Sequence, residues 1–126
     1  MNKICTDLEQ SKKLMELGID VYTADMYWKN GVSDKYFQCF NPFVGSGTDM
    51  DYDYDIPAWS LSALLKLMPT DDKKDEYYVD TESHSDYHTV SYRNCWDGCV
   101  HSEDSEESLL DAAFEMVCWL KENGKI

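Results

Sequence analysis

The sequence predicts an α+β fold in which a small antiparallel sheet is packed on one face by two or three helices. The blocks Trp59–Met68 and Leu109–Leu120 each place apolar residues on one broad helical stripe, which is typical of helices that cover a sheet. Between them, Glu76–Glu82 and Tyr87–Asn94 are rich in Tyr, Val and Thr, and a polar segment separates them, which predicts a β-hairpin. A chain of 126 residues has the usual size of one domain, so we expect a single α+β domain over residues 1–126.

The first helix is predicted from about Asp7 to Leu17, packed at the edge of the sheet. Thr6 and Glu9 have the spacing of a capping box, in which each side chain binds the exposed backbone N–H of the other residue. Gly18 fits the left-handed position that follows many helices, because glycine has no Cβ that would clash there.

Two short strands are expected after this helix. Residues 23–28 are compatible with a capped helical turn or with a strand that begins near Met26. Asn30-Gly31 is a typical hairpin turn, and a strand over about Tyr36–Phe40 would pair back across it. Pro42 lacks the backbone donor that a ladder requires, so it ends that strand.

Residues 49–56 alternate strictly between aspartate and apolar side chains. In an extended chain Asp49, Asp51, Asp53 and Asp55 fall on one side, about 6.7 Å apart, which predicts an edge segment with one solvated face. A row of carboxylates can also take the place of nucleic-acid phosphates opposite a basic partner. These four aspartates are therefore the candidate binding residues.

The second half of the chain is predicted to contain two helices and a long loop besides the hairpin. A proline suits the first turn of a helix, so one helix is expected from residue 57 or 58 to residue 67. Cys95–Asp104 is polar and contains glycine, which predicts a loop. Ser105 can cap the last helix, the acidic residues 106–107 suit its positive N-terminal end, and Asn123-Gly124 ends it.

The charge of the chain excludes several kinds of partner. The formal net charge is −14, and residues 67–107 hold twelve acidic and three basic residues, a net charge of −9. This field repels phosphate backbones and anionic lipids, so we expect no direct nucleic-acid binding and no membrane partner. We expect another protein as the partner, a basic one if the aspartates imitate a nucleic acid. Solubility alone would also explain the charge.

The cysteine pattern predicts a cytoplasmic protein whose cysteines are thiols. Five cysteines occur without a regular framework, and no apolar segment of a secretory signal follows Met1. The oligomeric state stays open. An acidic surface disfavours self-association through that surface, while a dimer through Met26–Trp28 remains compatible with the sequence.

The densest set of potential metal ligands is His84, His88, Cys95, Cys99 and His101, which lie within eighteen residues. Zinc requires four thiolate or imidazole ligands in a tetrahedral arrangement, and a thiolate activated by histidine would give a thiol enzyme. A metal- or thiol-dependent enzyme is therefore the alternative function. No second cysteine pair follows, however, and both upstream histidines fall on the predicted hairpin. A polar hairpin with two loop thiols explains the pattern more simply, so no cofactor is predicted.

Three blocks carry a resemblance to known sequences. Residues 23–28 (TADMYW), 57–65 (PAWSLSALL) and 110–120 (LDAAFEMVCWL) resemble a group of small uncharacterised proteins from gut Bacteroidales genomes, often found among phage or mobile-element genes. The resemblance implies a cytoplasmic accessory protein and brings no catalytic residues with it. We therefore expect a non-enzymatic, acidic protein-interaction module, an inhibitor or adaptor linked to a phage or mobile element.

Overall fold

A computed structural model describes residues 4–28, 55–69, 77–94, 96 and 98–126, and the backbone of residues 36–38. Its helices are α1 (Leu8–Glu16), α2 (Leu61–Lys66) and α3 (Leu109–Glu122), with a 3₁₀ turn at Val21–Thr23. Its strands are β1 (Met26–Trp28), β2 (Tyr36–Gln38), β3 (Ile56–Ala58), β4 (Tyr77–Ser83), β5 (His88–Asn94) and β6 (Gly98–Ser105). These elements form an α+β fold, as the sequence predicts. No helix among the described residues is both long and apolar enough to cross a bilayer.

The described chain divides into two compact units, one within residues 4–63 and one within residues 64–126. Each unit contains its own three-stranded antiparallel sheet, in the order β2-β1-β3 in the first and β4-β5-β6 in the second. The sequence predicts one sheet, so the second sheet is a correction to that prediction. The single-domain organisation over residues 1–126 stays a prediction.

In the first unit, β1 is the central strand of its sheet. Tyr27 lies opposite Phe37 on one side and opposite Pro57 on the other. Of the two interpretations of residues 23–28, the strand beginning at Met26 is confirmed, and its pairing with residues 36–38 follows the predicted hairpin. All three residues of β1 are buried, so this strand presents no exposed surface for a dimer. The turn at Asn30-Gly31 lies outside the described residues.

Helix α1 begins one residue later than its predicted capping box. Asp7, not Thr6, is the N-cap: its Oδ1 accepts the Gln10 N–H at 2.8 Å, and the Gln10 Oε1 accepts the Asp7 N–H at 3.1 Å. Thr6 is instead fully buried, where its hydroxyl oxygen accepts the Trp59 N–H at 3.0 Å. Gly18 has a φ of 87°, in agreement with the predicted left-handed position.

Pro57 lies in a strand, and the helix predicted to begin at residue 57 or 58 begins at Leu61. Among the described strands β3 pairs only with β1, and an edge strand tolerates the missing donor of a proline. Ser60 supplies the helix start instead: its Oγ accepts the Ala63 N–H at 3.2 Å. The Asp25 carboxylate in turn accepts the Ser60 N–H at 2.9 Å and the Ser60 hydroxyl.

In the second unit, β4 and β5 form the predicted hairpin, with Val79 opposite Tyr92. The loop predicted over Cys95–Asp104 is wrong, because Gly98–Ser105 forms the strand β6 alongside β5. Ladder hydrogen bonds to β5 hold this strand, whose serines and acidic residues have little intrinsic preference for a sheet. The register shifts between Tyr92 and Arg93, and this β-bulge leaves Val100 without a partner residue.

Helix α3 begins at Leu109, so Ser105 is not its cap. Ser108 is the N-cap, with its Oγ accepting the Asp111 N–H at 3.1 Å. Ser105 closes the turn before the helix, where its Oγ accepts the N–H of Glu107 at 3.1 Å. The helix contacts β5 and β6. Its buried residues confirm the predicted broad apolar stripe and are Leu110, Ala112, Ala113, Phe114, Met116, Val117, Cys118 and Leu120. The cover of this sheet by the other two helices stays a prediction.

Candidate interaction surface

One face of the β4-β5-β6 sheet packs against α3 through aromatic rings. Tyr92 on the central strand lies with its ring centroid 5.7 Å from that of Trp119, and it stacks on Tyr77 at 5.5 Å. Burial raises the pKa of the Tyr92 phenol, and the nearby phenol of Tyr77 raises this pKa further. This face therefore belongs to the core of the unit.

His101 also lies on the face that packs against α3. Its ring stacks on Trp119 with centroids 4.1 Å apart and planes 5° from parallel. Its Nε2 lies 2.6 Å from the Oε1 of Glu103, a neighbour on the same side of β6. The imidazole is thus held between a helix side chain and a strand carboxylate, a setting that explains its presence by packing and hydrogen bonding.

The two upstream histidines, His84 and His88, lie where β4 turns into β5. His84 stacks on Tyr87 at 4.4 Å, and its Nε2 is 3.3 Å from the Glu82 carboxylate. His88 places its Nδ1 3.0 Å from the hydroxyl of Ser83. Each of these histidines is engaged with the hairpin itself.

The predicted set of metal ligands is not brought together by the residues that the structure describes. Cys99 pairs with Arg93, which lies five residues from His88 along β5, a distance of about 17 Å. In the described ranges no three His, Cys, Asp or Glu side chains form a group that could hold a metal ion. The four described members are His84, His88, Cys99 and His101, and Cys95 lies outside the described residues.

Of the four candidate aspartates, only Asp55 belongs to the described residues, and Asp49, Asp51 and Asp53 lie outside them. Asp55 is 3% exposed, so the solvated face predicted for the aspartate row is wrong at this position. It immediately precedes β3, whose Pro57 and Ala58 are both buried. The alternation in the sequence predicts on which side of a strand a side chain lies, but it does not predict whether that side is covered, and at Asp55 it is covered.

The second face of the sheet, which points away from α3, carries exposed polar and acidic side chains. Asp80 lies 3.7 Å from the Nε of Arg93, and Asp104 accepts a hydrogen bond from the Thr89 hydroxyl at 2.7 Å. Glu82 follows Asp80 on the same face, and its side chain is 59% exposed. Arg93 is the only lysine or arginine between Lys74 and Lys121, so acidic groups dominate this face.

Three exposed side chains follow one another in the chain at the end of the sheet where β5 is followed by β6, and we call them the hairpin patch: Trp96, Cys99 and Val100. Trp96 is 67% exposed, Val100 is 45% exposed, and Cys99 is an exposed thiol. Asn94 Oδ1 accepts the Trp96 N–H at 3.0 Å, and Gly98 adopts a φ of 86°. The bulge removes Val100 from the ladder.

Sequence reasoning did not single out Trp96 as a functional residue. The available signal was its position in a polar segment between an asparagine and a glycine, where a tryptophan has little chance of burial. Comparison with protein-family models, curated proteins and solved structures finds no match to this chain. This surface, with an exposed aromatic ring at one end of an acidic sheet, is the candidate site.

Proposed function

We propose that this chain is a non-enzymatic, acidic protein-interaction module that acts in the cytoplasm as an inhibitor or adaptor. The observation that carries the proposal is the exposure of Trp96, with that of Val100 a few residues further along the chain. A tryptophan offers a large apolar area to a partner, and residues of this type contribute most of the binding energy at many interfaces. Its exposure leaves that area unused by the fold and therefore available for a partner.

The charge of the sheet face that ends at the patch supports a basic partner. Asp80, Glu82 and Asp104 share the sheet face that leads to the patch, and only Arg93 opposes them there. Complementary potentials accelerate association and select among partners. A basic nucleic-acid-binding protein fits this surface, since its cleft attracts carboxylates in place of phosphates. The resemblance to phage and mobile-element proteins agrees with an inhibitor or adaptor of such a protein.

A pull-down from the native host, read by mass spectrometry, tests the proposal with a matched pair of variants. Trp96→Ala removes the exposed ring of the hairpin patch, and Tyr22→Ala removes a comparably exposed ring (50%) from the first unit. We expect the wild type and Tyr22→Ala to recover the same basic partner and Trp96→Ala to lose it, with a weakening of about 2 kcal/mol or more, typical of an interface hot spot.

The salt dependence of the recovered complex separates the general proposal from the mimicry of nucleic acid. Binding that weakens as the salt concentration rises would support mimicry, since screened charges attract less. A salt-insensitive, uncharged partner would contradict mimicry while leaving an interaction module in place. Recovery of an identical set of proteins by wild type and Trp96→Ala would contradict the assignment of the hairpin patch as the contact surface.

A further inference from the structure

The outer edge of β6 differs from the outer edge of β4. On β4, the backbone N–H of Val79 donates to the carbonyl of Pro69 at 2.9 Å, so part of that edge is covered by the chain. Among the described residues β6 pairs only with β5, and it extends over eight residues, Gly98–Ser105. This strand therefore offers a long edge to which another strand could be added.

The ladder geometry identifies the backbone groups that point outward from β6. Because the Val79 N–H points away from β5, its opposite residue Tyr92 directs its own N–H and C=O towards β6. Tyr92 lies opposite His101, so the backbone N–H and C=O of His101 point inward, towards β5. This direction alternates along the strand, so the backbone N–H and C=O groups of Ser102 and Asp104 point outward. Both residues are exposed.

The charge along this edge selects the chemistry of an added strand. Glu103 and Asp104 lie on β6, Glu106 and Glu107 follow it directly, and no lysine or arginine occurs from Asn94 to Leu120. Like charges directly opposite one another destabilise a strand pair, so a second copy of β6 is a poor partner. Side chains alternate along a strand, so a strand with lysine or arginine at alternate positions would place its positive charges on one face, beside Asp104.

We infer that β6 binds an extended basic segment of another protein by strand addition, with Val100 and Trp96 of the hairpin patch contacting an apolar residue at one end. This inference rests on the proposed function and names the class of partner that its surface accepts. Main-chain hydrogen bonds from Ser102 and Asp104 would supply part of the affinity, and the alternate side chains would supply specificity.

The probe is a synthetic peptide as long as β6 in which lysine and threonine alternate. Its first control is the same peptide with N-methylated backbone amides, which retains the charge and cannot complete a ladder. We expect the unmodified peptide to slow hydrogen exchange of the Ser102 and Asp104 amides, measured by NMR, and the N-methylated peptide to leave them unchanged. Equal binding of both peptides would show that charge attraction alone is responsible and would overturn strand addition.

A matched pair of proline variants locates the edge. Ser102→Pro removes an outward N–H from β6, and Thr81→Pro removes the equivalent outward N–H from β4. Proline is tolerated at such edge positions because no ladder donor within the sheet is lost, and circular dichroism checks that each variant stays folded. We expect Ser102→Pro to weaken peptide binding about five- to tenfold and Thr81→Pro to change it less than about twofold.

Two outcomes would overturn the inference in different ways. Loss of peptide binding in Thr81→Pro but not in Ser102→Pro would place the added strand on the other edge. A concentration-dependent dimer in sedimentation, abolished by Ser102→Pro, would make a second copy of the chain the occupant. If the peptide fails to bind while Trp96→Ala still loses its partner in the pull-down, strand addition is wrong and the interaction function stands.

Discussion

The two sheets differ in how far their strands are buried, where burial is described. Every residue of β1, the central strand of the first sheet, is buried. In the second sheet the central strand β5 is largely buried, whereas β4 exposes five of its seven residues and β6 exposes four of its eight. Among the strands whose burial is described, β1 therefore serves mainly to hold its unit together, and β4 and β6 present most of the exposed surface on which a partner could act.

The tryptophans show the same difference at the level of single side chains. The indole N–H of Trp28 donates to the Thr6 carbonyl at 2.9 Å, and that of Trp59 donates to the Thr23 hydroxyl at 2.9 Å. Both rings are buried, whereas Trp96 in the second unit is exposed. A buried ring with a satisfied indole stabilises the fold, while the exposed ring contributes little to folding and can contribute to binding.

The strongest test of this comparison replaces one tryptophan of each kind. We expect Trp59→Ala to lower the free energy of unfolding by about 3–5 kcal/mol, because it leaves a large cavity in the core and removes the indole hydrogen bond to the Thr23 hydroxyl. Trp96→Ala should change this free energy by at most about 0.5 kcal/mol. Urea denaturation followed by far-UV circular dichroism measures both. A loss of several kcal/mol in Trp96→Ala would show that its ring supports the fold after all.

A smaller effect is expected from two threonines whose hydroxyls are hydrogen-bonded in different surroundings. The buried Thr6 hydroxyl joins the Trp59 N–H and, at 2.8 Å, the Ser11 hydroxyl. Thr6→Val keeps the shape of the side chain and leaves both groups without this partner, so the free energy of unfolding should fall by about 1–3 kcal/mol. Thr89→Val, which removes an exposed hydrogen bond to Asp104, should cost at most about 0.5 kcal/mol. If Thr6→Val and Thr89→Val lower the free energy of unfolding equally in the same denaturation assay, the contrast between the buried and the exposed hydroxyl is wrong.

The parts of the fold that the sequence predicts well are those determined by local signals. The periodic apolar residues of Leu109–Leu120, the glycines at 18 and 124, and the β4-β5 hairpin each depend on residues close together in the chain. The strands β3 and β6 were missed because their pairing partners are distant or their side chains are polar. Pro57 has the local signature of a helix start, but it pairs with Tyr27 on β1 and therefore lies in a strand.

The candidate sites were less predictable because a site depends on which side chains share one face and one end of a sheet. His88 and Cys99 are close in sequence, yet the hairpin carries them to opposite ends of the sheet. The bulge at Val100 interrupts the alternation between Cys99 and His101, and no residue pattern announced it. Asp55 follows the predicted alternation but is enclosed. Trp96 was conspicuous only once its exposure was known.

The smallest effect predicted here concerns the alkaline stability of the second unit. Burial, and secondarily Tyr77, raises the pKa of Tyr92 above its ordinary value of 10.0, so the folded chain holds this proton at a pH where the unfolded chain releases it. The stabilisation linked to this proton is fully present below about pH 10 and is lost as the pH rises through the higher folded pKa. Tyr92→Phe removes this titration, so wild type should lose stability more steeply than Tyr92→Phe as the pH rises above about 10 in urea denaturation. Tyr77→Phe should reduce the slope of the wild type only slightly, because burial is the larger cause. Identical slopes in wild type and Tyr92→Phe would show that the phenol is as well solvated in the folded chain as in the unfolded one.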